Sequence, residues 1–240
     1  MATVADIANR LKARVGKRRG RTFLARAAPV GAHSHDERQR RLRYLPALLL
    51  FSDQQRLPDP TAALDRLPRG SGLIFRHYRA PGRAALASAL VGRGRARGIK
   101  ILIANDARLA ASTRAAGLHL QEARLGAILP LGSIRQRKSA IVTIAAHSLR
   151  AVFMAARRGA DAAVLGPVFP TASHPGSASL GSLRFARICR LSPIPVYAIG
   201  GIGPETALKL KDSGAVGIAG IGAIRLPRHR GTRSMARSRR

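Results

Sequence analysis

The chain has 240 residues, 46% hydrophobic but only 4% aromatic and without Trp, so it can fill one packed core, built from Ala, Val, Leu and Ile. Its single cysteine, Cys189, excludes an intramolecular disulfide framework, suits a reducing, cytoplasmic compartment and reads as a small core residue, and no apolar run nears the roughly 20 residues of a membrane helix. The net charge of +32 would suit a polyanion, but half of it lies in residues 1–45 and 225–240, and no zinc-finger spacing or RNA-recognition aromatic motif accompanies it; nucleic acid is not an expected partner.

Residues 1–45 hold 12 Lys/Arg against 3 Asp/Glu and are expected to form a disordered basic extension. The first 28 are Arg-rich and acid-poor, as in a transit peptide, and stand outside the fold argument. Residues 227–240 are expected to form a second basic tail. Between these ends, residues 46–226 read as one domain.

Within that domain eight short apolar runs alternate with segments of helical period. The predicted strands are 47–51, 72–75, 100–104, 117–120, 140–145, 162–166, 195–200 and 216–220. They are continuous apolar runs, as in parallel strands buried on both faces. The predicted helices are 61–67, 83–97, 107–116, a weak one near 121–129, 148–158, 181–190, 204–213 and at most one short turn after 221. In "SLRAVFMAARRGA", Leu149, Val152, Phe153 and Ala156 fall at i, i+3, i+4 and i+7, and Gly159 supplies the stop. Strict alternation with short loops predicts a single compact (β/α)8 barrel of the α/β class. The alternative is an open doubly wound sheet, which needs no pairing between first and last strands.

In a barrel the chemistry sits on the loops after the strands. After the third strand come Asn105 and Asp106; Asp106 suits either Mg²⁺ coordination or the N-cap of the next helix. After the fifth come His147, a polar group facing the mouth, and Ser148, a helix cap. After the sixth comes "GPVFPTASHPG", in which Thr171, Ser173 and His174 supply two hydroxyls and an imidazole; this is either a phosphate clamp or a rigid surface loop. After the seventh and eighth come "AIGGIGPETA" and "GIAGIGAI", where Gly200 and Gly201 are expected to let backbone N–H groups approach a ligand.

These motifs, with "ILIANDARLAASTRAAGLHL" and "PVYAIGGI", resemble in order those of the thiamine phosphate synthase and TenI-type thiazole tautomerase superfamily, from about Leu48 to Ile224. The resemblance implies a transferase that joins hydroxymethylpyrimidine diphosphate to thiazole phosphate and releases diphosphate. Its alternatives are a TenI-like tautomerase, which needs no metal, or a barrel that binds a thiamine precursor without turnover. The partners it implies are phosphorylated pyrimidine and thiazole precursors; it leaves the oligomeric state open. Arg76 matches the Arg of the second-strand pattern, Asn105 and Asp106 an Asn-Asp pair whose Asp binds Mg²⁺, and Thr171 and Ser173 the signature-loop hydroxyls. Gly200 and Gly201 match the thiazole-phosphate glycines, and His147 the proposed acid/base of the tautomerase branch. Several family positions are replaced. Ile74 and Tyr78 stand for a Gln and a Lys, His174 for a Lys, and Gly222 for a Ser. Glu122 is the nearest carboxylate to the second metal-ligand place. His77 or Arg108 are candidates to supply the missing positive charge.

Overall fold

A computed structural model describes residues 2–18, 42–126, 134, 137, 139–171, 176 and 178–221. The apolar runs become β1 (Leu48–Phe51), β2 (Gly72–Phe75), β3 (Lys100–Ala104), β4 (Gly117–Leu120), β5 (Ile141–Ala146), β6 (Ala162–Leu165), β7 (Val196–Ala198) and β8 (Gly217–Ile221). Each strand pairs in parallel with the next, and β8 returns to β1 with Leu48 opposite Ile218 and Phe51 opposite Ile221. This closure decides for the barrel over the open sheet.

The continuous apolar pattern follows from two cores. Leu49, Phe51, Ile74, Leu102, Val164, Tyr197 and Ala219 pack inside the barrel. Their strand neighbours Leu50, Leu73, Phe75, Ile103, Ile144 and Leu165 pack outward beneath the helices, so both faces are buried. Cys189 is buried.

The helices are α1 (Val4–Arg18), α2 (Pro60–Arg66), α3 (Arg83–Arg97), α4 (Ala107–Ser112), α5 (Leu149–Arg157), α6 (Gly181–Leu191) and α7 (Pro204–Leu208), with a 3₁₀ turn at Glu122–Gly126. Two are shorter than predicted. The helix expected over 107–116 stops at Ser112, because the Thr113 hydroxyl donates to the Leu109 carbonyl and Arg114 turns to φ +52°. The one expected over 204–213 stops at Leu208, where the N–H groups of Leu210 and Lys211 bond three residues back rather than four.

The expectation of disorder over residues 1–45 is corrected for Val4–Arg18. Val4, Ala8, Leu11 and Val15 are all buried and share one face of α1, which packs against β8, β1 and α7. Thr3 and Asp6 cap its start reciprocally: the Thr3 N–H donates to Asp6 Oδ2 (2.9 Å) and the Asp6 N–H to Thr3 Oγ1 (3.2 Å). Leu42 and Leu45 are buried as well, so the packed unit begins before residue 46. Residues 19–41 and the predicted tail over 227–240 lie outside the described residues. Among the described residues no helix is long and apolar enough to cross a membrane.

Candidate active site at the barrel mouth

A cavity of about 530 Å³ opens where the strands end, within the usual range for small-molecule sites. Of the predicted site residues, Arg76, His147, Thr171, Gly200 and Gly201 line it. Asn105, Asp106 and Glu122 do not line the cavity but hold side chains around its rim. Ser173, His174 and Gly222 lie outside the described residues.

Arg76 follows β2 and is fixed on three sides. Its N–H donates to Ser52 Oγ (2.9 Å), its Nε to the Ser52 carbonyl (3.0 Å) and its Nη2 to Asp53 Oδ2 (3.0 Å), while its guanidinium lies 5.4 Å from the Phe51 ring centre. Burial alone would raise the Asp53 carboxyl, but N–H groups of Arg56 and Gln55 and the charges of Arg76 and Arg56 hold it below its usual value. Arg76 is therefore a preorganised cation on the cavity wall.

Asn105 adopts φ +56°, a left-handed conformation that Asn tolerates better than most side chains. Its Oδ1 accepts the Gln121 N–H (3.0 Å) and its Nδ2 donates to the Tyr78 hydroxyl (3.2 Å), so it ties three loops together. Burial raises the Tyr78 phenol, opposed by the charges of Arg76, Arg83 and Arg124. Asp106 caps α4 through the Leu109 N–H (2.9 Å), the capping alternative of the sequence reading, and its other oxygen accepts Arg83 Nη1 at 2.6 Å.

Glu122 Oε2 accepts the His147 N–H (2.7 Å) and lies 2.6 Å from His147 Nδ1. Ser148 caps α5 as expected, its Oγ accepting the Ala151 N–H. Deeper in the cavity, His119 is fully buried, with Nδ1 2.9 Å from Thr143 Oγ1 and its ring edge-on to Phe51. Burial first, and the Arg76 charge second, push its pKa down to about 3, so the imidazole is neutral.

Gly200 and Gly201 have φ +96° and +64°. A Cβ on Gly200 would stand 2.7 Å from Pro167 Cα, and one on Gly201 2.4 Å from the Pro170 carbonyl oxygen. The glycines therefore let the loop after β7 lie against the loop after β6, which is the packing that places Thr171 at the cavity.

The Mg²⁺ expected on Asp106 and Glu122 does not fit this arrangement. Both carboxylates are already bonded to basic side chains, and among the described residues no three His, Cys, Asp or Glu side chains gather in a metal-binding group.

The family model described as thiamine monophosphate synthase (TMP-TENI) matches residues 64–224. The chain belongs to that family. A putative thiamine-phosphate synthase 2 of Aquifex aeolicus is 36% identical over 121 residues, which are 50% of this chain and 63% of that relative, less than two thirds of its length. A thiamine-phosphate synthase of Chlorobium luteolum is 34% identical over 189 residues, covering 75% of this chain and 85% of that relative. Among solved structures, a thiamine phosphate pyrophosphorylase from Pyrococcus furiosus shares the fold, with a TM-score of 0.62 at 24% identity over 74% of this chain and 86% of that one.

In this member of the thiamine monophosphate synthase family, sequence reasoning missed Asp53, Arg83 and His119. Asp53 lies two residues past β1, so the strand-end rule would have found it. Arg83 opens α3 and gave no local signal. His119 sits inside β4, where an apolar run hides it. Of the residues expected to replace missing cations, His77 is buried beside Phe75 and Arg108 is exposed, and the guanidinium beside Asp106 belongs to Arg83.

Proposed function

We propose that the mouth binds phosphorylated thiamine precursors and joins hydroxymethylpyrimidine diphosphate to thiazole phosphate. One observation carries this reading: a single cavity runs from the fixed Arg76 after β2 to the segment 200–203 after β7, which begins with the close-packed Gly200 and Gly201. Two anionic groups can then be held on two walls with the reacting atoms, a methylene carbon and a thiazole nitrogen, between. The methylene carbon–oxygen bond to diphosphate breaks, the diphosphate leaves with the electron pair, and the thiazole nitrogen donates its pair to the methylene. Arg76, already oriented by Ser52 and Asp53, meets the negative charge as it develops on the leaving oxygen. Neutral His119 and Phe51 wall the cavity without adding charge, and Tyr78 closes its rim. A chain with one cysteine can form no intramolecular disulfide, which suits a reducing compartment, and we place the reaction in the cytoplasm.

The test mixes purified protein with the pyrimidine diphosphate and the thiazole phosphate, with and without Mg²⁺, and measures released diphosphate. Release is expected, falling about 10²-fold in Arg76→Ala. No release above a blank, with thiazole phosphate still bound by calorimetry, would sink the transferase reading and leave a precursor-binding barrel.

The pairing of His147 with Glu122 favours a second reading, thiazole tautomerisation. There the imidazole takes a proton from one ring position and returns it at another, with the carboxylate holding its orientation. A His147→Ala variant with full isomerisation activity removes this catalyst.

A further inference from the structure

The carboxylates just past β1, β3 and β4 are each matched to a basic side chain: Asp53 to Arg76, Asp106 to Arg83 and Glu122 to His147. Their spare capacity is further reduced by the main chain. Asp53 Oδ1 accepts N–H bonds from Gln55 and Arg56, and Asp106 Oδ1 accepts that of Leu109. Magnesium needs carboxylate oxygens at about 2.0–2.1 Å inside a near-ideal octahedron. At Asp106 it would have to displace a guanidinium that already brings positive charge.

Arg83 is held too well to be displaced cheaply. Its side chain is 17% exposed, Nη2 donates to the Ala104 carbonyl at the end of β3 (3.1 Å), and the guanidinium lies between the rings of Phe75 (5.7 Å) and Tyr78 (5.9 Å). Tyr78, which lines the cavity, also stands in the field of Arg76 and Arg124.

We propose that Arg83 is the resident cation of this mouth: it holds Asp106 in place of a divalent ion, and arginine charge around Tyr78 meets the phosphoryl group of a ligand without metal. The ligand half rests on reading the mouth as an anion site; the metal half does not.

The experiment titrates the full-length protein with Mn²⁺ alone, followed by electron paramagnetic resonance. Wild type is expected to show no site below about 1 mM that Asp106→Asn removes; Asn caps α4 as well as Asp does, so that comparison keeps the fold. Arg83→Met, checked for folding by its melting transition, is expected to gain one Mn²⁺ site, lost again in the double variant with Asp106→Asn. Calorimetry with inorganic diphosphate in chelator is expected to show binding to wild type, weakened about fivefold to tenfold in Arg83→Met and restored there by Mn²⁺. A micromolar Mn²⁺ site in wild type that Asp106→Asn abolishes overturns the inference, as does an Arg83→Met variant that gains none. Diphosphate binding by wild type only with Mn²⁺ overturns it and leaves the anion site standing. Binding under neither condition overturns the anion site itself, and the inference with it.

Discussion

His119 makes the stability of this barrel sensitive to mild acid. An unfolded histidine titrates near 6.5, whereas burial holds His119 at about 3 in the fold. Between those values the unfolded chain binds a proton that the folded chain refuses, so protonation favours unfolding and stability falls as pH drops. One such group costs about 1.4 kcal/mol per pH unit below 6.5, or about 2 kcal/mol between pH 7 and pH 5. His77 is shifted the same way, chiefly by burial, and adds to the slope. The lowered carboxyls Asp6, Asp53 and Asp65 lose their stabilisation only as pH falls further, toward their own values. Urea unfolding of wild type and His119→Asn at pH 7, 6 and 5 checks this. The variant is less stable at pH 7 but is expected to lose clearly less between pH 7 and 5. Because burial outweighs the Arg76 charge, the wild-type slope is expected to survive added salt. Parallel stability curves for the two proteins would refute the account.

Three other outcomes follow from the packing and the pairs. Gly201→Ala combines a φ of +64° with a Cβ 2.4 Å from the Pro170 carbonyl, and is expected to cost about 2–4 kcal/mol in urea unfolding and to weaken thiazole phosphate binding; a near-neutral variant would refute the close-packing argument. Leu11→Ala, on the buried face of α1, is expected to cost about 2–5 kcal/mol, whereas a peripheral helix would register almost nothing in the same measurement. Glu122→Gln can still accept the His147 N–H but carries no charge, so if isomerisation is the activity, kcat is expected to fall about 10²-fold with KM little changed; an equal loss in binding would assign Glu122 to the ligand instead.

The barrel was legible because parallel strands are buried on both faces, and a run such as Gly72–Phe75 or Lys100–Ala104 ends where that double burial ends. Helix ends were less so, since Thr113 stops α4 with a local hydroxyl bond that helical period does not record. The helix α1 was hidden by its own composition. Its arginines and lysines suggest a solvated tail, yet Val4, Ala8, Leu11 and Val15 repeat at helical spacing behind a Thr-x-x-Asp start, and that stripe is what the barrel covers.

The site divides along a similar line. Which residues reach the mouth follows from strand ends, and Arg76, His147, Thr171, Gly200 and Gly201 are where that rule puts them. Which partner each one takes does not. Asp106 had two local readings, a helix cap or a metal ligand, and both concern its own loop. Its second oxygen instead meets Arg83, 23 residues earlier at the start of the preceding helix, and only the parallel register of β2 on β3 brings the two together. The same holds for Glu122 and His147, which meet across the ends of β4 and β5. A carboxylate at a barrel mouth thus acquires its chemistry from the neighbouring β–α unit. For this chain that neighbour is basic in each case, which turns Asp106 and Glu122, the two acids that the motifs would assign to metal, and Asp53, which they do not mark, into supports for two arginines and a histidine.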